Sequence, residues 1–202
     1  MGSAAFEGLA GRATGRVMAR MNRETEIEAI EVLAPSRGDR VLAIGIGPGV
    51  GVDHLARHVA GVTVVGIDPS AVMLAQARKR NRALIEAGTV ELVQTTADAL
   101  ICEDATFDSA VAVNSIQTWE PFEGSLREVG RVLRTGGRLV TLTHDWALRK
   151  STGREPEEWF HWAESVGRRC GMLHARMWRA RAEGGASVAF EVTRGSRSSS
   201  EG

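Results

Sequence analysis

Tyrosine is absent from this 202-residue chain, which excludes a phenolic base from any chemistry assigned to it. Cysteine is scarce. Cys102 and Cys170 are too few for a disulfide framework and lack metal-ligand spacing, so no metal site is expected. An excess charge of either sign is missing too: Lys plus Arg number 25 and Asp plus Glu 25. No global field then attracts nucleic acid, although Arg12, Arg16, Arg20 and Arg23 make the N-terminal segment locally basic. No stretch reads as a secretory or membrane-spanning segment, so the expectation is a cytoplasmic protein with no membrane partner. Two nucleotide signatures are lacking as well. The phosphate loop G-x-x-x-x-G-K-[ST] does not occur, and the dinucleotide fingerprint G-x-G-x-x-G fails because Val50 or Val52 stands where its third glycine belongs. That spacing counts against a nicotinamide-dependent enzyme.

What the chain has is an alternation of strand-like and helix-like segments. Residues 40–45 form a continuous apolar run, as in a strand buried on both faces of a parallel sheet, and Val52, Leu55, Ala56 and Val59 follow at helical spacing. A second unit runs from Val62 to Ile67 into Asp68-Pro69-Ser70. Ser70 is a plausible N-cap, and Leu74, Ala77, Asn81, Leu84 and Ile85 trace one helix face. Further strands are expected at 90–93 and 107–113, then a helix marked by Leu126, Val129 and Leu133 and stopped at Gly136-Gly137 before a strand over 138–143. Trp159, Trp162, Val166 and Cys170 predict a helix from about Pro156 to Gly171, with Trp159 and Trp162 in its apolar stripe. Two strand-like runs, 172–181 and 186–193, flank Glu183-Gly184-Gly185 as a hairpin. The pattern is α/β, with a mostly parallel, doubly wound sheet.

The chemistry-bearing feature lies in the first unit. Val41-Leu42-Ala43-Ile44 opens into Gly45-Ile46-Gly47-Pro48-Gly49, a G-x-G-x-G turn, with the carboxylate of Asp68 one strand further on. Alone, such a cluster is equally a tight strand-to-helix turn. With its surroundings it resembles the first motif of class I S-adenosylmethionine-dependent methyltransferases. Phe107-Asp108 leading the fourth strand, and Arg131-Val132-Leu133 before Gly136-Gly137, resemble small-molecule members of that family, including those of quinone biosynthesis. The resemblance covers roughly Arg40 to Thr143. It implies a Rossmann-like, seven-stranded sheet in the order 3-2-1-4-5-7-6 with a C-terminal antiparallel hairpin. It also implies a helical lead over 1–36 covering the site and a methyltransferase domain over 37–194, while the Ser, Gly and charge of 195–202 predict a disordered tail.

The cofactor implied is S-adenosyl-L-methionine, with S-adenosyl-L-homocysteine as product. Gly45, Gly47 and Gly49 would bring backbone amides and a helix N-terminus to its methionine portion. Asp68 would accept both ribose hydroxyls, unless it serves only as a helix-start acid, and Pro69 and Met73 flank it. After the third strand, Asp98 resembles the family's adenine-binding acid, with Ala97 and Ala99 leaving room for the ring; a solvated turn residue is its other reading. Asn114 closes the set where the fourth strand presents its functional edge.

One position departs from the family. An acid usually stands two residues before the first glycine, where it helps hold the cofactor's ammonium group; here that position is Ala43. On sequence alone, Ala43→Glu is expected to tighten cofactor binding. Methyl transfer from a sulfonium is an in-line displacement, so positioning in a dry site supplies much of the catalysis. His144, beside Asp145, is the candidate general base, or it merely lines the cleft. Trp119 and Trp146 follow strand ends, and with Met18 and Met21 they suggest a pocket for an apolar or aromatic acceptor. The expected function is in-line methylation of a small molecule by a monomer or homodimer. A cofactor-binding sensor or subunit partner of the same fold, without transferase activity, is the alternative.

Overall fold

The computed structural model describes residues 23–181 and 187–195. Seven strands, β1 (Arg40–Ile44), β2 (Thr63–Ile67), β3 (Val90–Val93), β4 (Phe107–Val113), β5 (Leu133–His144), β6 (Met172–Arg179) and β7 (Ser187–Arg194), form one sheet. Their order is β3-β2-β1-β4-β5-β7-β6, as the resemblance implied. The first five run parallel, while β7 is antiparallel to β5 and to β6. Alternation along β1 feeds two cores, because successive side chains leave opposite faces of a strand. Val41 and Ala43 join Leu55, Leu74 and Val140 on one face, and Leu42 and Ile44 join Phe107, Leu126 and Trp159 on the other. Trp159 is buried and Trp162 packs against the same cluster, both as core.

Among the described residues the helices are α1 (Arg23–Leu33), α2 (Val50–His58), α3 (Ala71–Arg80), α4 (Arg82–Glu86), α5 (Phe122–Val132), α6 (Asp145–Thr152) and α7 (Pro156–Arg169), with a short 3-10 turn at Ile116–Thr118. Helix α1 presents Ala29, Ile30 and Leu33 to the face that α2 and α3 cover, so it packs as part of the sheet's own core. Its buried Glu28 accepts the backbone N–H of Arg181 at 2.8 and 2.9 Å, pinning α1 to the chain just beyond β6. The rest of the expected N-terminal lead, Arg12 to Met21 included, and the tail beyond Gly195 lie outside the described residues.

Three elements differ from the sequence reading. The helix expected through Asn81 breaks there, because Asn81 leaves helical geometry at φ −97° and ψ 16° and caps both α3 and α4. Helix α5 ends at Val132 and β5 already starts at Leu133. Leu133 pairs with Phe107 but Arg138 pairs with Ser109, so the intervening residues bulge out through Gly136, at φ +80°. A Cβ on Gly137 would lie 2.8 Å from the Arg134 carbonyl oxygen, which is why the bulge needs glycine there. Finally, Asp145–Thr152 is a helix; it is too short for the periodicity that betrays longer ones.

Candidate functional site

At the end of β1 the chain turns over its three glycines, all with positive φ. Gly45 sits against β4: a Cβ there would lie 2.4 Å from Ser115 Cβ, and Ser115 Oγ donates to the Ile44 carbonyl at 2.9 Å. Gly49 sits against α3, where a Cβ would come within 2.6 Å of Asn81 Nδ2. Gly47 differs from both, since nothing lies within 4 Å of the position its Cβ would take. The outer glycines are required by the protein's own packing, and the middle one leaves open space. Helix α2 then starts with no side-chain cap from Gly49, and the Gly51 amide in its first turn is bonded to the Glu26 carboxyl.

Asp68 holds this turn in place. Its Oδ2 accepts the Gly47 N–H at 2.8 Å and its Oδ1 accepts the Ser70 N–H at 2.9 Å. Burial raises its carboxyl above the ordinary 3.8, and those two amides pull it back down. Ser70 caps α3 as expected, accepting the Met73 N–H at 3.3 Å, and the Met73 side chain is buried. Asn81 grips the turn from beneath. Its Nδ2 donates to the Gly49 carbonyl at 3.1 Å and to the Ala77 carbonyl at 2.9 Å.

Two cavities share Ile44 and Gly45 in their linings. One, with about 440 Å3 of open space, is lined by Pro69, Ala97, Asp98 and Trp119 among others, which with Gly45 brings five of the expected residues together. Ala99 is exposed beside it, its N–H bonded to the Thr96 carbonyl. The other, of about 380 Å3, lies on the α1 side and is lined by Glu26, Ile30, Ala43, Gly51 and Val113 among others.

The ends of β4 and β5 lock together above these cavities. Asn114, at φ +50°, accepts the His144 N–H on Oδ1 at 2.9 Å, while its own Nδ2 is buried without a hydrogen-bond partner. His144 is 4% exposed, and burial lowers its pKa below the ordinary 6.5 while the charge of Asp145 opposes the shift. Its ring stacks at 6.3 Å on Trp146, which is 55% exposed on α6. The Asp145 carboxylate accepts Arg179 Nη1 at 2.5 Å. Met18 and Met21, expected in the acceptor pocket, lie outside the described residues. Among the described residues no group of three or more His, Cys, Asp or Glu side chains could hold a metal ion, and no helix is long and apolar enough to cross a membrane.

Two site residues escaped the sequence reading. Asn81 counted there as one more member of an apolar stripe, yet a buried amide in such a stripe must find partners. Glu26 stands at i, i+4 and i+7 with Ile30 and Leu33, and an acid on an apolar stripe was the signal for it.

The family model described as a methyltransferase domain matches residues 42–141. The chain is 27% identical over 126 residues to the uncharacterized methyltransferase YdaC of Bacillus subtilis, covering 62% of this chain and 67% of that one. It is 37% identical over 109 residues to a phosphatidylethanolamine N-methyltransferase of Cereibacter sphaeroides, covering 54% of this chain and 52% of that one. It thus spans two thirds of the first relative and about half of the second. A crystal structure of a SAM-dependent methyltransferase from Aquifex aeolicus superposes with a TM-score of 0.67 at 18% identity, covering 84% of this chain and 89% of that one.

Proposed function

The chain belongs to the class I S-adenosylmethionine-dependent methyltransferases, and from that premise we propose that it methylates a small, apolar or aromatic acceptor by in-line transfer, as a cytoplasmic enzyme. The observation that carries this reading is the pair of cavities that Gly45 borders, with Gly47 facing open space and buried Asp68 bonded to the turn.

The residues present fit the cofactor. The positive end of α2, which starts without a side-chain cap from Gly49, suits its carboxylate. Asp68 keeps lone pairs for the ribose hydroxyls beyond those given to Gly47 and Ser70. Pro69, Ala97 and Asp98 give the adenine a flat, partly apolar slot with one acceptor. When bound, the cofactor supplies an electrophilic methyl group on a sulfonium. What the chain adds is a held geometry and the exclusion of water. Trp119 offers an aromatic wall where the adenine cavity opens towards the acceptor. His144, kept neutral near pH 7 by burial, can accept the proton of a hydroxyl or thiol acceptor as that group attacks. Ala43 supports a second reading, a protein that binds the cofactor without transferring its methyl group.

The test is turnover of methyl-deuterated S-adenosyl-L-methionine with a panel of phenols, quinols, fatty acids and amines, followed by mass spectrometry. Labelled apolar product is expected. Cofactor binding with no product from any acceptor would favour the second reading, and preferential binding of NADH would overturn both.

A further inference from the structure

The cavity beside Ala43 contains an acid that came from elsewhere in the chain. Glu26, on α1, lines it together with Ala43, Gly45 and Gly51. Its Oε2 is buried with no hydrogen-bond partner. The space it fills exists because two neighbouring side chains are small. Ala43 places only a methyl group there, and a Cβ on Gly51 would stand 2.6 Å from Oε2 and 3.2 Å from the carboxyl carbon. A buried carboxylate oxygen lacking a partner is costly in a finished fold, and such groups mark places where a ligand completes the bonding. The surrounding walls of Ile30, Val52, Leu55 and Val111 are apolar and offer it nothing. Arg80, of α3, is the charged group that acts on Glu26, but its Nε is engaged by the Pro48 carbonyl at 3.1 Å.

We propose that Glu26 receives the ammonium group of the cofactor's methionine portion, replacing from α1 the acid that strand β1 lacks at Ala43. The proposal rests on the S-adenosylmethionine reading of the site. The glycine turn puts the amino-acid end of the ligand at Gly45 and the start of α2, and both border the cavity that Glu26 lines. A cation is the complement that a buried carboxylate requires, and an ammonium also supplies three donors. Burial agrees with an acid waiting for such a partner: it pushes the Glu26 carboxyl up to about 8, against the pull of the Gly51 amide and of Arg80. The protein without ligand therefore holds a proton there near neutral pH. Arrival of an ammonium favours the carboxylate, and that proton leaves to solvent. The assignment also reverses the expectation for Ala43→Glu, since a second carboxyl would meet Glu26 in one apolar space.

The experiment is calorimetry at pH 7 in buffers of different ionisation enthalpy, on wild type, Glu26→Gln and the exchanged pair Glu26→Gln with Ala43→Glu. The ligands are S-adenosyl-L-homocysteine and 5′-methylthioadenosine, which lacks the amino-acid portion. Wild type should release up to one proton on binding S-adenosyl-L-homocysteine and none on binding methylthioadenosine. Glu26→Gln should weaken S-adenosyl-L-homocysteine about ten- to a hundredfold, abolish the proton release and leave methylthioadenosine unchanged. The exchanged pair should recover affinity by restoring the acid on β1. Equal affinity and equal proton release in wild type and Glu26→Gln would overturn the proposal. So would parallel losses for both ligands, which mark a structural role. If wild type binds neither ligand, the cofactor reading falls and the proposal with it.

Discussion

Asn81 Nδ2 donates to the carbonyl oxygen of Gly49 at 3.1 Å, across a sequence separation of 32. The bond joins the break between α3 and α4 to the last glycine of the ligand-facing turn, so the amide that interrupts a helix also sets the turn's height above the sheet. The helix break is thus part of the site.

Replacing Asn81 with Ala removes this bond and the one to Ala77, and should destabilise the protein by about 2 kcal/mol. Thermal and urea denaturation measure that loss. Affinity for S-adenosyl-L-homocysteine should fall as well, because the turn loses its support; unchanged affinity would separate Asn81 from the site.

The three glycines should answer differently to alanine. At Gly47 the added methyl meets no protein atom, so Gly47→Ala should cost the fold only the strain of a positive φ, about 1–2 kcal/mol, while weakening cofactor binding severely. At Gly45 the methyl would strike Ser115, and Gly45→Ala should cost about 2–5 kcal/mol through that clash added to the strain. Urea midpoints and ligand titrations on both variants separate a ligand-facing glycine from a packing one.

The acid limb of the rate should be set by His144. Burial holds its pKa below 6.5, so the neutral ring that can accept a proton predominates at pH 7 and is lost only on acidification below that value. The profile of kcat/KM against pH should therefore be flat near neutrality and fall on the acid side. His144→Asn should lower the rate by about 10²–10⁴ and remove the fall. Full turnover at every pH would exclude it as the base.

Glu26 should make the unliganded protein less stable as pH rises. In the unfolded chain its carboxyl loses its proton near 4.5, whereas the folded protein retains it up to about 8. Between those values the folded state binds more protons, so its stability is full below the window and declines through it, by as much as about 1.4 kcal/mol per pH unit. Unfolding free energies measured from pH 5 to 8 should show this slope in wild type, and Glu26→Gln should flatten it.

Apart from the short helix at Asp145–Thr152 and the break at Asn81, the order of strands and helices is legible in the residues. Apolar runs of strand length and helical spacing from Val52 to Val59 are signals carried by near neighbours, and each period follows from backbone geometry alone; the expected turn at Glu183-Gly184-Gly185 lies outside the described residues. The G-x-G-x-G turn with Asp68 after the next strand was legible for the same reason, since a parallel β-α-β unit always brings those strand ends together. The bulge in β5 was hidden because glycines that stop a helix look the same as glycines that let a strand loop outward.

Only the tertiary structure decided what each of these residues touches. Asn114 could be placed at a strand end from sequence, but its carboxamide oxygen is engaged by the His144 N–H, a pairing across a separation of 30. Asp68 was read as a ligand acceptor and proves to be a brace for the Gly47 amide as well. Ala43 looked like a missing charge, and the fold brings Glu26 into the same cavity. Pattern and turn chemistry act over a few residues and fix the elements. A carboxylate on α1 meets a strand and a glycine turn far along the chain only once packing has closed the sheet and its helices, and no local period records that meeting.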